Sequence, residues 1–315
     1  MKKFFIALGI VLALVVFVLL FCIYLRPNHI ISKAEAKARF SVPESKFIHW
    51  RGAEIHYTDT GRGPAILMIH GFGGNFTNFS DLAHIMQDSF RVIRVDLPGF
   101  GLSDMPELSE PQKSYIFMYR NFISFLIDNL HLDSVYVVGN SMGGWLSWEM
   151  AIQRPDKVKK LVLLNSAGYD TKLVKKNAGM TNVLSNPLIQ KIAQRGYPMF
   201  MSQHIAHRIR AEDEDVAMDE IVINNGIGNR QGNLQNLIAL GTAKEEPDTT
   251  RVPKVPCPTL IFWGKEDPII PYRDALKFRR DIRQSSLITY DHCGHVPMME
   301  YPEQVASDIK KFLKK

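Results

Sequence analysis

The central part of the chain alternates short, continuous apolar runs with longer runs that are apolar on one side only. Apolar runs such as AILMIHG (65–71) and VKKLVLLNSAG (158–168) predict strands that are buried on both faces of a sheet. Between them, YIFMYRNFISFLIDNLHL (115–132) has apolar residues at helical spacing and predicts an amphipathic helix. Strand and helix patterns alternate along most of the chain, so the sequence predicts an α/β fold with a mainly parallel sheet.

Two segments depart from this alternation and define the predicted domains. FIHWRGAEIHYTDTG (47–61) has two short alternating runs around an Arg-Gly turn, which predicts a β-hairpin before the core. From 169 to 253 the chain is Met-rich, helical in pattern and lacks Val-rich runs, and at about 85 residues it is too long for a simple loop. We therefore expect one α/β core, 46–168 and 254–315, interrupted by a helical cap at 169–253.

Met199, Phe200 and Met201 lie in the most apolar part of this predicted cap. Side chains of this kind commonly form a local hydrophobic core, since Met fills irregular gaps. The alternative is that they present an adaptable apolar surface to a lipid-like substrate. We treat these three as candidate substrate-binding residues.

The N-terminus carries a second strong apolar pattern. Residues 4–25 contain no charge over 22 positions, and a helix of that length spans about 33 Å, enough to cross the hydrocarbon core of a bilayer. A cleaved signal peptide is the alternative, but its apolar run is normally shorter, and the nearest small-x-small site, Ala34-Glu-Ala36, comes only after a further polar stretch. We therefore expect a single-pass membrane anchor at 1–25 and a polar connector at 26–45. Basic residues flank both ends of the anchor, so its orientation is not set.

Composition and charge exclude several classes of protein. With 46% hydrophobic and 22% charged residues, the composition is that of a globular protein. The net charge of +6 is not gathered into a basic cluster with interleaved aromatics, which argues against nucleic-acid binding. The three cysteines do not suggest a disulfide framework, and neither a C-x-x-C nor an H-E-x-x-H pattern occurs. We expect no metal site and no cofactor.

The stretch GNSMGG (139–144) interrupts a predicted strand immediately before a predicted helix. A simple strand-to-helix turn explains the glycines, but so does a turn that exposes one reactive hydroxyl. A nucleophilic serine at the end of a strand needs a sharp turn in which flanking side chains would clash, and Gly139 and Gly143 flank Ser141 at the required spacing. Ser141 is therefore the candidate nucleophile.

A serine nucleophile also requires an oxyanion site. HGFGG (70–74) directly follows the first predicted parallel strand and brings flexible backbone N–H groups to the same edge of the sheet. The candidate donors are the backbone N–H groups of Phe72 and of Met142, which begins the helix after Ser141.

The candidate acid and base follow the last two predicted strands. FWGKEDPIIP places Asp267 after one strand, and YDHCGHVPMMEYP places His295 after the next. The chain order Ser141, Asp267, His295 is typical of a hydrolytic triad on an α/β sheet. Glu266 and His292 are less favourably placed, because each lies nearer the end of its strand.

An alternative position for the acid follows the preceding strand, where Asn165 and Ser166 stand. Neither side chain is an acid, so the sequence favours Asp267.

Several motifs together resemble the α/β-hydrolase superfamily over about residues 45–315. In chain order they are HGFGG, DLPGFGLSD, GNSMGG, WGKEDPIIP and GHVPMMEYPE. The resemblance implies an eight-stranded sheet with a cap inserted after the sixth strand, and catalysis through an acyl-enzyme. In it, Ser141 would attack a carbonyl, His295 would carry the proton, Asp267 would hold the imidazole, and the N–H groups of Phe72 and Met142 would bind the oxyanion.

Three functions remain open within this resemblance. The first is a membrane-bound carboxylesterase or monoacylglycerol lipase, whose partners are a lipid-like acyl ester and the bilayer. The second is a carbon–carbon bond hydrolase of the meta-cleavage type, which also commonly has Gly-Asn-Ser-Met-Gly-Gly but tends to carry an aromatic residue where this chain has Val296. The third is a non-catalytic binding protein of hydrolase fold, which the complete set of candidate residues disfavours. A serine at position 141 excludes relatives that use an aspartate nucleophile.

Overall fold

The computed structural model describes Val16, Phe17, Phe21 and residues 31–106, 114–169 and 246–314. The described residues form an eight-stranded sheet in the spatial order β1-β2-β4-β3-β5-β6-β7-β8. The strands are β1 (Ser45–Trp50), β2 (Ala53–Thr60), β3 (Ala65–Ile69), β4 (Arg91–Val95), β5 (Val135–Asn140), β6 (Val158–Leu164), β7 (Thr259–Gly264) and β8 (Ser285–Tyr290).

The sheet is mostly parallel, as the continuous apolar runs predicted. Strand β2 pairs antiparallel with β1 and β4, and the remaining pairs are parallel. The predicted hairpin is confirmed: Trp50 pairs with Ala53 across a two-residue turn in which Arg51 and Gly52 have φ angles of 48° and 76°. Positive φ at both central residues matches the twist of two adjacent antiparallel strands.

Helices cover both faces of the sheet. Within 31–106, 114–169 and 246–314 the helices are α1 (Lys33–Phe40), α2 (Ser80–Met86), α3 (Tyr115–Asn129), α4 (Met142–Gln153), α5 (Arg273–Asp281), α6 (Pro297–Glu300) and α7 (Pro302–Lys314), with 3₁₀ turns at Phe76–Phe79 and Thr249–Lys254.

Apolar residues of α3, α4 and α5 pack on one face of the sheet, and those of α2 and α7 on the other. Side chains of a strand point alternately to the two faces. In β3, for example, Leu67 and Ile69 join the first core, while Ile66 and Met68 join the second. Burial on both faces explains why the central strands have no polar alternation.

The predicted connector at 26–45 contains helix α1. Ser32 caps it by accepting a hydrogen bond from the N–H of Glu35 at 3.1 Å, and Lys37 forms an ion pair with Glu54 at 2.6 Å. Ala36 is the buried residue of this helix, packed in a small cluster that includes Phe76. With so little of its surface in the core, the helix leaves almost no apolar periodicity in the sequence.

The predicted localisation as a single-pass membrane protein is contradicted. Among the described residues, no helix is long and apolar enough to cross a membrane. Within 1–25, the structure describes only Val16, Phe17 and Phe21.

The predicted cap falls largely outside the described residues. Strand β6 ends at Leu164, the description stops at 169 and resumes at 246, and β7 begins at Thr259. Met199, Phe200 and Met201 all lie in the segment between, so their assignment as substrate-binding residues stays a prediction.

Candidate active site

Ser141 lies in a sharp turn between β5, which ends at Asn140, and α4, which begins at Met142. Its φ of 55° and ψ of −119° belong to a region of backbone space that residues with a side chain rarely adopt. Two backbone hydrogen bonds hold this conformation. The N–H of Ser141 donates to the carbonyl of Leu164 at 3.1 Å, and the carbonyl of Ser141 accepts from the N–H of Ala167 at 3.0 Å. The turn therefore fixes Ser141 in this conformation immediately after the strand.

Glycine is required on both sides of this turn by close backbone approaches. A Cβ at Gly139 would clash with the hydroxyl of Ser147 and the carbonyl of Gly143. A Cβ at Gly143 would clash with the carbonyl oxygens of Ile69 and His70 at the end of β3. The first turn of α4 thus packs directly against the sheet, and the pattern GNSMGG has a steric explanation.

Asp267 and His295 form a buried hydrogen-bonded pair. The Nδ1–H of His295 donates to Oδ2 of Asp267 at 2.7 Å, and the Asp267 side chain has no exposed surface. The other oxygen, Oδ1, accepts from the backbone N–H groups of Ile269 at 2.7 Å and Ile270 at 2.9 Å. Several donors to one carboxylate stabilise its charge and fix its orientation.

The topology brings these residues to one edge of the sheet. Strands β5, β6, β7 and β8 are parallel neighbours, and Ser141, Asp267 and His295 follow β5, β7 and β8, respectively. The carboxyl ends of parallel strands meet at the same edge, where open α/β sheets bind their ligands. The amide of Asn140, next to Ser141, also donates to the backbone carbonyl of His295 at 3.0 Å.

Glu266 and His292, the less favoured alternatives to Asp267 and His295 as acid and base, lie at the surface. Nδ1 of His292 and Oε1 of Glu266 are 3.2 Å apart, and the two side chains keep 72% and 48% of their surface exposed. Such an exposed pair is surrounded by water and lacks the fixed geometry of the buried pair. Within 31–106, 114–169 and 246–314, no three His, Cys, Asp or Glu side chains gather as metal ligands.

The loop after β3 lies against the Ser141 turn. A Cβ at Gly71 would be 3.0 Å from Cβ of Ser141, so the backbone of this loop is in direct contact with the serine. Phe72 follows, and its ring is half exposed and packs edge-on against Phe100. Met142 is the first residue of α4, where a backbone N–H has no acceptor within its own helix.

His70 connects the loop after β3 to the loop after β4. It is fully buried, its Nδ1–H donates to the carbonyl of Gly71 at 2.7 Å, and its Nε2 accepts from the N–H of Leu97 at 3.0 Å. These two bonds define the neutral tautomer. Burial lowers the pKa of His70 below its ordinary value, against smaller opposing effects of Asp96 and of the Gly71 carbonyl. The imidazole is therefore a neutral bridge between the loops after β3 and β4.

Three side chains that the sequence did not single out as functional hold these loops in place. They are Asn140, Asn165 and Glu300. The two oxygens of Glu300 accept the backbone N–H groups on either side of His295, those of Gly294 at 2.8 Å and Val296 at 3.2 Å. Adjacency to Ser141 is a sequence signal for Asn140, whereas the sequence gives Asn165 only a place after a predicted strand.

The fold and the site define a family. The sequence model of a protein family, described as the alpha/beta hydrolase fold, matches residues 64–302, more than half of the chain. The protein therefore belongs to the α/β-hydrolase family and is a hydrolase.

Individual relatives divide between two chemistries. The chain is 29% identical to Lipase 1 of Psychrobacter immobilis, over 83% of this chain and 81% of that protein. It is 28% identical to 2-hydroxy-6-oxo-6-(2'-aminophenyl)hexa-2,4-dienoic acid hydrolase of Metapseudomonas resinovorans, over 85% of this chain and 90% of that protein. The crystal structure of a membrane phospholipase A, described as a bacterial virulence factor, matches with a TM-score of 0.70 and 22% identity, over 100% of this chain and 98% of that chain. At that identity the structural likeness concerns the fold alone.

Proposed function

We propose that this hydrolase cleaves carboxylic esters of lipid-like small molecules, as a carboxylesterase or monoacylglycerol lipase, through an acyl-enzyme on Ser141. One relationship carries the proposal: Ser141 is held at φ 55° and ψ −119° at the edge of the sheet that also presents the buried His295–Asp267 pair. The 29% identity to a lipase supports ester cleavage over a non-catalytic role.

In the first half of the reaction, Ser141 Oγ attacks the ester carbonyl carbon while Nε2 of His295 takes the hydroxyl proton. Asp267 accepts the Nδ1–H bond and stabilises the imidazolium that forms. The carbonyl oxygen becomes an oxyanion, for which the backbone N–H groups of Phe72 and Met142 are the donors. One such donor is worth about 3 kcal/mol of barrier. Collapse breaks the ester C–O bond, and His295 returns the proton to the departing alcohol.

In the second half, water attacks the acyl-enzyme. His295 takes one proton from the water, the new C–O bond forms, and the second tetrahedral intermediate uses the same two N–H donors. Collapse releases the carboxylic acid, and the proton on His295 returns to Ser141. Phe72 is half exposed in the loop that contacts Ser141, and its apolar ring suits an acyl chain.

Carbon–carbon bond hydrolysis is the second candidate. The 28% identity to a dienoic acid hydrolase favours it, because this relative covers the chain as fully as the lipase does. Val296 argues for the ester reaction, since the meta-cleavage hydrolases tend to have an aromatic residue there.

Substrate profiling of the purified protein separates the two. We expect turnover of p-nitrophenyl esters and monoacylglycerols, with a preferred acyl-chain length, and no cleavage of a vinylogous diketone acid. The reverse result would assign carbon–carbon bond hydrolysis.

Labelling tests the role of Ser141. A fluorophosphonate should label the native protein but not Ser141→Ala, whose kcat should fall by on the order of 10³-fold or more. Ser147→Ala is the control, because its hydroxyl is buried in α4 and donates to the carbonyl of Gly143. Equal labelling of Ser141→Ala and the native protein would refute the serine mechanism.

A further inference from the structure

Asn165 stands directly after β6 in an unusual backbone conformation. Its φ is 42°, in the left-handed region, which asparagine tolerates better than most residues with a side chain. Its backbone N–H donates to the carbonyl of Phe262 at 3.1 Å, and its side chain is fully buried. The backbone turn aims this side chain across the end of β7 towards the loops that carry Asp267 and His295.

The amide of Asn165 joins three separate points of the site. Nδ2 donates to Oδ2 of Asp267 at 2.6 Å and to the carbonyl of Gly294 at 3.1 Å, while Oδ1 accepts the N–H of Gly264 at 3.2 Å. Since the N–H of Gly264 needs an acceptor and the carboxylate needs a donor, the network sets which amide atom is oxygen. All the polar atoms of the amide are therefore engaged.

We propose that Asn165 is a positioning residue that locks the Asp267 carboxylate in the orientation needed by His295; this rests on the proposed function. Among the described residues, Oδ2 of Asp267 accepts hydrogen bonds from two side chains, Nδ1–H of His295 at 2.7 Å and Nδ2–H of Asn165 at 2.6 Å. Oδ1 receives two backbone N–H groups. With both oxygens held, the carboxylate cannot rotate about its Cβ–Cγ bond without losing hydrogen bonds.

An amide suits this position better than an acid or an apolar residue. A second carboxylate within 2.6 Å of Asp267 would repel it, whereas the amide donates a hydrogen bond without adding charge. A hydrogen bond to a charged group is stronger than one between neutral groups. The orientation of Asp267 matters most when His295 becomes charged in the transition state, so losing the bond should lower kcat by roughly 10- to 100-fold and leave KM nearly unchanged.

Two variants test the proposal. Asn165→Leu keeps much of the volume and removes the hydrogen bonds, and Asn165→Gly removes the side chain while accepting the left-handed backbone without strain. We expect kcat to fall by roughly 10-fold or more in both, with KM within about twofold of wild type. The far-downfield proton NMR resonance of the His295 Nδ1–H should shift or broaden, because its acceptor is no longer fixed.

Ser166→Ala is the matched control. Ser166 is the next residue, is also buried, and its hydroxyl donates to the carbonyl of Ala167 at 3.0 Å. We expect this variant to keep both kcat and the resonance of the wild-type protein.

The outcomes that overturn the proposal are distinct. A kcat within twofold of wild type, a rise in KM alone, or an unchanged resonance would show that the amide does not position Asp267. Failure of both variants to fold while Ser166→Ala folds would make Asn165 architectural and also overturn it. If wild-type protein cleaves no ester and resists the fluorophosphonate, the proposed function fails instead, and the resonance still tests the role of Asn165.

Discussion

The side-chain amide of Asn140 donates a hydrogen bond to the backbone carbonyl of His295 at 3.0 Å, across 155 positions of the chain. The same Nδ2 donates to the carbonyl of Leu164 at 3.0 Å. Asn140, the residue before Ser141, is therefore hydrogen-bonded both to the end of β6 and to the loop 291–296 that carries His295, here called the histidine loop. This link and the parallel sheet connect the backbone beside the candidate nucleophile to the backbone of the candidate base.

Asn140→Ala should loosen the histidine loop. The carbonyl of His295 loses a buried donor, which we expect to lower the free energy of unfolding by about 1–3 kcal/mol. Because His295 is then held less precisely, kcat should fall more than KM rises. Urea denaturation and steady-state kinetics check both effects. Asn129→Ala, at an exposed position at the end of α3, is the control; equal effects in both variants would contradict a specific role for Asn140.

Glu300→Gln should disturb the same loop from its other side. The carboxylate accepts N–H groups from Gly294 and Val296, and bonds to a charged acceptor are stronger than neutral ones. The amide of Gln offers one oxygen and turns an NH₂ group towards the second donor. We expect a loss of about 1–3 kcal/mol in the free energy of unfolding and a lower kcat.

Thermal and urea denaturation, together with ester hydrolysis, measure this prediction. Glu303→Gln, an exposed position in α7, is the matched control. If Glu300→Gln behaves like Glu303→Gln, the two backbone bonds do not hold the histidine loop.

The buried His70 should make stability depend on pH. Its pKa is lowered in the folded protein by burial, so the unfolded chain binds a proton more readily. The stabilising contribution is fully present above the unfolded pKa of about 6.5 and is lost as pH falls from there towards the folded pKa. One such group changes the free energy of unfolding by up to about 1.4 kcal/mol per pH unit in that window.

His70→Gln removes this titration and keeps an oxygen that can accept the N–H of Leu97. We expect the slope of unfolding free energy against pH to be smaller below pH ~6.5 than in wild type. His84→Gln, at an exposed position on α2, is the control and should keep the wild-type slope. A steep slope that persists in His70→Gln would assign the acid sensitivity to other groups.

The elements of the fold could be predicted because their patterns are local. Strands β3, β5 and β7 are mainly apolar runs, and Ser141 and Asp267 follow β5 and β7, while His295 lies in the loop after the more polar strand β8. The supporting residues leave no comparable pattern: Asn165 contacts Asp267 across 102 positions, through a side chain whose direction depends on one left-handed φ angle. The predicted membrane anchor at 1–25 is contradicted by the described residues, among which no helix is long and apolar enough to cross a membrane.

Gly143→Ala tests the steric account of the Ser141 turn. Alanine favours a helix over glycine by about 1 kcal/mol, so propensity alone predicts stabilisation. The added Cβ would, however, clash with the carbonyl oxygens of Ile69 and His70, which belong to the backbone and cannot rotate away. Overpacking of this kind costs about 1–3 kcal/mol or more, so we expect net destabilisation and loss of ester hydrolysis.

Gly144→Ala provides the comparison within the same helix. Its Cβ would clash mainly with the side chain of Ser166, which can be shortened. We expect Ser166→Gly to recover part of the stability lost in Gly144→Ala but none of that lost in Gly143→Ala. Measured by urea denaturation as two double-mutant cycles, a coupling free energy should appear for Gly144 alone. Equal recovery in both would mean that α4 can shift away from β3, and the backbone contact would not be what requires Gly143.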